Sequence, residues 1–295
     1  MALAPKLQSP ARRPRWRAVD LILAGYLAVI SVVAVMRMGR FPDAAWVLAA
    51  NILTLILIGL LARPGLGILG RALREIYPIL LLVAFYSAID LLNGGGGVGI
   101  HDATVQGWEE ALFGGQPARD WWRAHPSGFW STVLHGAYFT YYLIIPLPIG
   151  WFAFTGRLSA LRRTVLLVTA TFVLCYLAFL FYPVAGPYYQ FPRPTGAFVD
   201  NPMARLVYDI LGTGSSYGAA FPSTHDAATV TAAAASWMVA RRLGIALVIP
   251  TLLLIVGVVY CQMHYAVDAV AGVMVSGVVL FLYQTTRSRE QGAGT

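Results

Sequence analysis

Residues 264–284 read HYAVDAVAGVMVSGVVLFLYQ: His264 and Asp268 stand at the head, and sixteen residues without a charge follow. An unbroken apolar run of about 20 residues is what a helix needs to cross a bilayer. It does not alternate, as a barrel strand would. Ionisable groups at the rim of such a helix are expensive to place and are functional candidates by default.

The pattern recurs along the chain. Of its 295 residues 58% are hydrophobic and 12% charged, about half the charged share of a soluble domain. Apolar runs fall at roughly 18–36, 44–62, 76–92, 128–154, 164–183, 221–240, 243–261 and 264–284. Pro64-Gly65, the glycine run after Asn93, Gly186-Pro187 and Pro192 separate them. The expectation is an all-α polytopic membrane protein with about eight transmembrane helices. Arg12 to Arg17 followed by Leu21 to Met36 resembles a signal peptide, but no small-residue cleavage site follows, so a retained first helix is expected.

The net charge of +8 is spread over short loops, with no dense basic patch interleaved with aromatics, so nucleic-acid binding is not expected. With eight spans, most of the 21 basic residues collect on one side. Lys6, Arg12, Arg13, Arg15, Arg17, Arg71, Arg74, Arg162, Arg163, Arg241 and Arg242 are among them, which predicts cytoplasmic N- and C-termini. His225 and His264 then open two spans from the opposite, extracytoplasmic face. Cys175 and Cys261 lie within or at apolar runs and form no framework or metal pattern. Residues 93–127, with Trp108, Trp121 and Trp122 among Asp102, Glu109, Glu110 and Asp120, read as an interfacial segment that could include a short helix lying on the membrane.

The chemistry concentrates in Phe221-Pro222-Ser223-Thr224-His225 and His264-Tyr265-Ala266-Val267-Asp268. On a helix His264 and Asp268 share a face, so the carboxylate can take one imidazole N–H and leave the other nitrogen free as nucleophile or base. Pro222 and Ser223 read as a helix start, whose free N–H groups suit an anion. Phosphoryl transfer fits this set: His264 attacks, His225 protonates the departing oxygen, and Asp268 orients His264. Ser223, Thr224 and Arg193 are candidate phosphate ligands; Arg193 could equally be a solvated or lipid-facing arginine. His135, Tyr188 and Arg205 are candidates for a headgroup pocket. For His135 a core hydrogen bond is the alternative, and for Tyr188 a place in the aromatic belt. Asp90 could mark a span end or touch a headgroup. A metal bound by His225, His264, Asp226 and Asp268 is the chemical rival, but Asp226 directly follows His225 and so points elsewhere on a helix. A transporter would more typically show paired halves or broken helices at matching positions, and none is visible.

These two motifs resemble those of the type 2 phosphatidic acid phosphatase superfamily, whose members carry Pro-Ser-Gly-His and Ser-Arg-x5-His-x3-Asp. The resemblance covers the last six spans. It implies a six-helix catalytic core over 76–295, preceded by two added helices in 1–75, and a site that uses no metal or other cofactor. The departures are specific. Thr224 replaces glycine, Gly257 and Val258 replace Ser-Arg, and Gly186 stands where Arg193-Pro194 would require a lysine. They are similar to the branch of inositol phosphorylceramide and sphingomyelin synthases, with Pro-Ser-x-His and His-Tyr-x-x-Asp. A phosphomonoester dianion needs more cationic ligands than a diester. The resemblance therefore implies transfer of a phospho-headgroup, such as phosphoinositol, from a membrane phospholipid to a lipid alcohol. A phosphatase for polyprenyl or phosphatidyl phosphates is the alternative.

Overall fold

A computed structural model of the chain describes residues 16–214 and 216–292. Fourteen α-helices follow in order among the described residues: α1 (Ala18–Arg37), α2 (Ala44–Leu61), α3 (Ile68–Asn93), α4 (Asp102–Phe113), α5 (Pro117–Ala124), α6 (Gly128–Phe139), α7 (Tyr141–Ile144), α8 (Pro146–Phe154), α9 (Leu158–Phe181), α10 (Pro187–Gln190), α11 (Pro202–Gly214), α12 (Thr224–Trp237), α13 (Arg241–Tyr260) and α14 (Ala266–Gly292). No strand occurs among them; the one isolated bridge, Val184 to Ala219, ties the loop after α9 to the approach to α12. The protein is an all-helical, polytopic integral membrane protein.

Seven segments are long and apolar enough to cross a bilayer, where the sequence predicts eight. The difference lies at 221–240. There the helix, α12, has only 14 residues, Thr224 to Trp237, because the chain turns at Met238 to Ala240 to enter α13. α12 nonetheless passes through the bundle, packed against α9, α13 and α14. Its run of alanines leaves little side chain between backbones, the usual route to close helix contact in membranes. The fourth span, Gly128–Phe154, is divided into α6, α7 and α8. Thr140 bends its hydroxyl onto the Ala137 carbonyl at 2.6 Å, and Pro146 lacks the N–H that would continue the ladder.

The bundle has two distinct ends. At one, the starts of α1, α3 and α9 meet in an ionic cluster. Arg17 and Arg162 both bind Glu75 at 2.8 Å, and buried Asp20 takes two bonds from Arg74 and one from the Tyr77 hydroxyl. Each carboxylate there is matched by cations, which offsets the cost of removing it from water. At the other end, Arg37 closes α1 onto the last carbonyls of α3 and α9, Leu92 and Leu180, and onto Asn93 at the foot of α3. α12 and α14 begin at this second end. Lys6, Arg12, Arg13 and Arg15, which enter the expected orientation, lie outside the described residues.

α12 and α14 touch through Gly272. A Cβ there would collide with the Ser223 carbonyl and come within 3.2 Å of the Asp226 Cβ. Replacing Gly272 with alanine forces the two helices apart at a cost of about 1–3 kcal/mol. Gly272→Ala is expected to lower the thermal midpoint of the purified protein. Gly277→Ala, one and a half turns further along the same helix with nothing within 4 Å, should leave it unchanged; equal midpoints for the two variants would contradict the close contact.

Candidate active site

Ser223 caps α12: its hydroxyl accepts from the Asp226 N–H at 3.3 Å, which fixes the first turn and sets His225 on it. Opposite, the chain leaves α13 through a tight turn. Gln262 adopts φ 59°, and the N–H groups of Met263 and His264 both return to the Val258 carbonyl at 2.9 Å. That reversal folds His264 back toward α12. The Ser223 N–H donates to the Asp268 carbonyl at 3.0 Å and locks the two helix starts together.

The two histidines, 39 residues apart in sequence, meet: His225 Nδ1 lies 3.2 Å from His264 Nε2. On its far side, His264 Nδ1 is 3.4 Å from an Asp268 oxygen that also accepts the Tyr265 N–H at 2.9 Å. The aspartate is fully buried and the His264 side chain 6% exposed. Asp268, His264 and His225 thus form a row, with Nδ1 of His264 toward the carboxylate and Nε2 toward its partner ring. Tyr138 and Tyr141 bracket the His225 ring, with centroids 4.7 and 4.4 Å away. Burial lowers the pKa of His264, which lies between the two flanking spans, while the nearby Asp226 carboxylate opposes that shift. A neutral imidazole keeps a lone pair for attack on an electrophile. Among the described residues, no three or more His, Cys, Asp or Glu side chains converge as a metal site would.

The interfacial segment expected at 93–127 contains α4 and α5, and α4 braces the site. Buried Glu109 accepts from the N–H groups of Ala266 and Val267, at 3.1 and 2.9 Å, and so caps α14 from outside. Buried Asp102 accepts from the Ala185 and Gly186 N–H groups and from the Tyr265 hydroxyl, at 2.7, 2.8 and 3.1 Å. Burial raises the pKa of Glu109, and the amide bonds it accepts counter this. Gln262 ties its own turn to α5 and to the 187–192 segment. It donates to the Pro187 and Pro192 carbonyls and accepts from Trp122 and Arg123. Sequence reading did not single out these three. Asp102, Val105, Gln106 and Glu109 do recur at helical spacing, which would have placed both acids on one face.

The remaining candidates separate from the histidine pair. Thr224 lies beside His225 on the wall of a cavity described below. His135 is a core histidine in its contacts: Nδ1 is bonded to the Ser131 carbonyl at 2.8 Å and lies 3.1 Å from the Ser131 hydroxyl and 3.4 Å from the Cys261 sulfur. Arg193 lies over the Tyr188 ring at 4.3 Å, and Tyr188 stacks on Tyr208. Arg205 pairs with Asp200, and both are about two-thirds exposed (67% and 66%). Asp90 accepts from the Ser216 hydroxyl at 3.0 Å.

The bundle and its paired histidines define a class: a polytopic membrane protein with a His-His-Asp row at one end. A family model described as PAP2 superfamily matches residues 105–282, more than half of the chain, and the chain belongs to that superfamily. The matched stretch begins within α4 and ends within α14, leaving α1 to α3 before it. No curated protein and no solved structure matches the chain.

The bracing role of α4 predicts a local effect. Glu109→Ala removes the acceptor for two buried amides, each bond to a charged group contributing about 1.5–3 kcal/mol. Hydrogen exchange at Ala266 and Val267 should accelerate by at least about tenfold. The same exchange measured in Glu110→Ala, a change at the exposed neighbour, should match wild type; no acceleration in the Glu109 variant would contradict the cap.

Proposed function

We propose that the protein is a lipid phosphotransferase that moves a phospho-headgroup, such as phosphoinositol, from a phospholipid to a lipid alcohol through a phosphohistidine at His264. Membership of the PAP2 superfamily supports phosphatase-type lipid chemistry in general. The observation that carries the finer reading is the contact between His225 and His264, with Asp268 behind His264 and an apolar cavity in front of His225.

In this mechanism Nε2 of His264 forms a bond to phosphorus as the bond to the departing lipid oxygen breaks. His225 gives that oxygen a proton, and Asp268 balances the positive charge that develops on the His264 ring. The incoming phosphate displaces the hydrogen bond between the two rings. In the second half an alcohol loses its proton to His225 and attacks phosphorus, releasing His264. The first turn of α12, with the free N–H groups of a helix start at Thr224 and His225, faces the phosphate oxygens. Transfer is favoured over hydrolysis because His225 opens onto hydrocarbon-lined space and not onto a loop surface. The cations near this end are also engaged: Arg205 by Asp200, Arg193 by Tyr188, Arg123 by Gln262. That environment fits a diester monoanion better than a monoester dianion. The end bearing Arg17, Arg74 and Arg162 is then cytoplasmic and the histidines extracytoplasmic.

The test places the protein in nanodiscs with phosphatidylinositol, a polyprenyl phosphate and candidate lipid alcohols, in the presence of chelator, and follows products by mass spectrometry. A new lipid bearing phosphoinositol is expected. Its formation should fall by roughly 10³-fold or more in His264→Asn. In His225→Asn it should fall by roughly 10²–10⁴-fold, as loss of a general acid does. Release of inorganic phosphate and free alcohol, with no transfer, would make the protein a phosphatase instead.

A further inference from the structure

A cavity of about 400 Å3 begins at Thr224 and His225 and runs between α3, α7, α8, α9 and α11. Leu82, Phe172 and Leu211 form part of its wall, and among the described residues no ionisable side chain other than His225 and tyrosine lines it. Val83 and Tyr142 belong both to this wall and to the outside of the bundle, 73% and 44% exposed. The cavity therefore opens sideways, onto the lipid-facing flank between α3 and α7, and ends inward at the imidazole of His225. Its volume is near the low end of the range for small-molecule sites, about 300–1,000 Å3, which suits the hydrocarbon nearest the reacting oxygen, with the remainder of the chains leaving through the open flank into the bilayer. A phosphate would find no cation inside it; a hydrocarbon would find an apolar wall.

We propose that this cavity seats the hydrocarbon of a lipid alcohol with its oxygen at His225, and that the departing and the accepting alcohol occupy it in turn. The inference rests on the transfer reading above. In the first half-reaction the bond from phosphorus to the lipid oxygen breaks, the bond from His264 to phosphorus forms, and the oxygen takes a proton from His225. In the second, the accepting alcohol gives its proton to His225, its oxygen bonds to phosphorus, and His264 is released. One imidazole serves both oxygens, so the chains attached to them must lie on the same side of it. One cavity there forces the first alcohol to leave before the second enters. The product diacylglycerol should then compete with the acceptor, and the enzyme should return the headgroup to labelled diacylglycerol.

Photolabelling of the full chain in nanodiscs tests this without turnover. The probe is a long-chain primary alcohol carrying a mid-chain diazirine. Adducts are expected on peptides containing Ile79, Leu82 and Leu211, and excess diacylglycerol should suppress them. Leu211→Trp, which fills the cavity, should cut labelling about tenfold, equivalent to about 1.4 kcal/mol of binding. Leu82→Phe is a milder second filling, and His264→Asn should label like wild type. Adducts confined to outward-facing residues, or cavity adducts that diacylglycerol does not suppress, overturn the proposal even if headgroup transfer is observed. Suppressible cavity adducts in a protein that releases only inorganic phosphate would support the alcohol site and overturn the transfer reading alone.

Discussion

The backbone contact between the starts of α12 and α14 is the constraint from which the rest of the molecule follows. Ser223 donates to the Asp268 carbonyl, and Gly272 brings its bare Cα against the Ser223 carbonyl. With the helix starts this close, side chains two residues beyond the cap of α12 and two before α14 have little choice but to meet. The pairing of His225 with His264 is thus set by backbone geometry and not by attraction between two imidazoles, whose own hydrogen bond is worth about 1 kcal/mol.

A helix bundle in a bilayer has no water in its hydrocarbon region to satisfy stray polar groups, so each must find a partner inside the protein. At the site end that task falls to α4, which is too short to cross the membrane. Its two buried carboxylates take the N–H groups of Ala185, Gly186, Ala266 and Val267, holding the loop after α9 and the start of α14 in one frame. At the opposite end Asp20 and Glu75 do the comparable work with arginine as partner. Acids matched by amides at one end and by guanidinium groups at the other leave the site end with fewer fixed cations.

Much of this was legible in the sequence. The apolar runs gave the helical membrane class because length and continuity are local properties. The pairing of Asp268 with His264 followed from a spacing of four, and the shared face of His225 and His264 from one helix returning the chain between them. The helix that makes up the eight, α12, is present, packed against α9, α13 and α14, but at 14 residues it is shorter than the run that predicts it. Residues 221–240 are mostly apolar and small, but the chain turns early, at Met238 to Ala240, and turn geometry leaves little mark in hydropathy. Asp102 and Glu109 were visible as acids in an aromatic-rich segment. Their partners are backbone groups more than 80 and 150 residues away, and a backbone N–H has no sequence signature. Residue type alone gave neither the pairing of Arg205 with Asp200 nor Ser131 as the partner of His135.

The brevity of α12 sets a depth. α12 and α13 share the turn at 238–240, yet α12 has 14 residues and α13 has 20. At 1.5 Å per residue, α13 climbs about 9 Å past the start of α12 before the chain reverses and descends to His264. The two imidazoles therefore lie below the level reached by the end of α13. At that depth, with an effective dielectric constant near 20, each charge acts about four times as strongly as it would in bulk water.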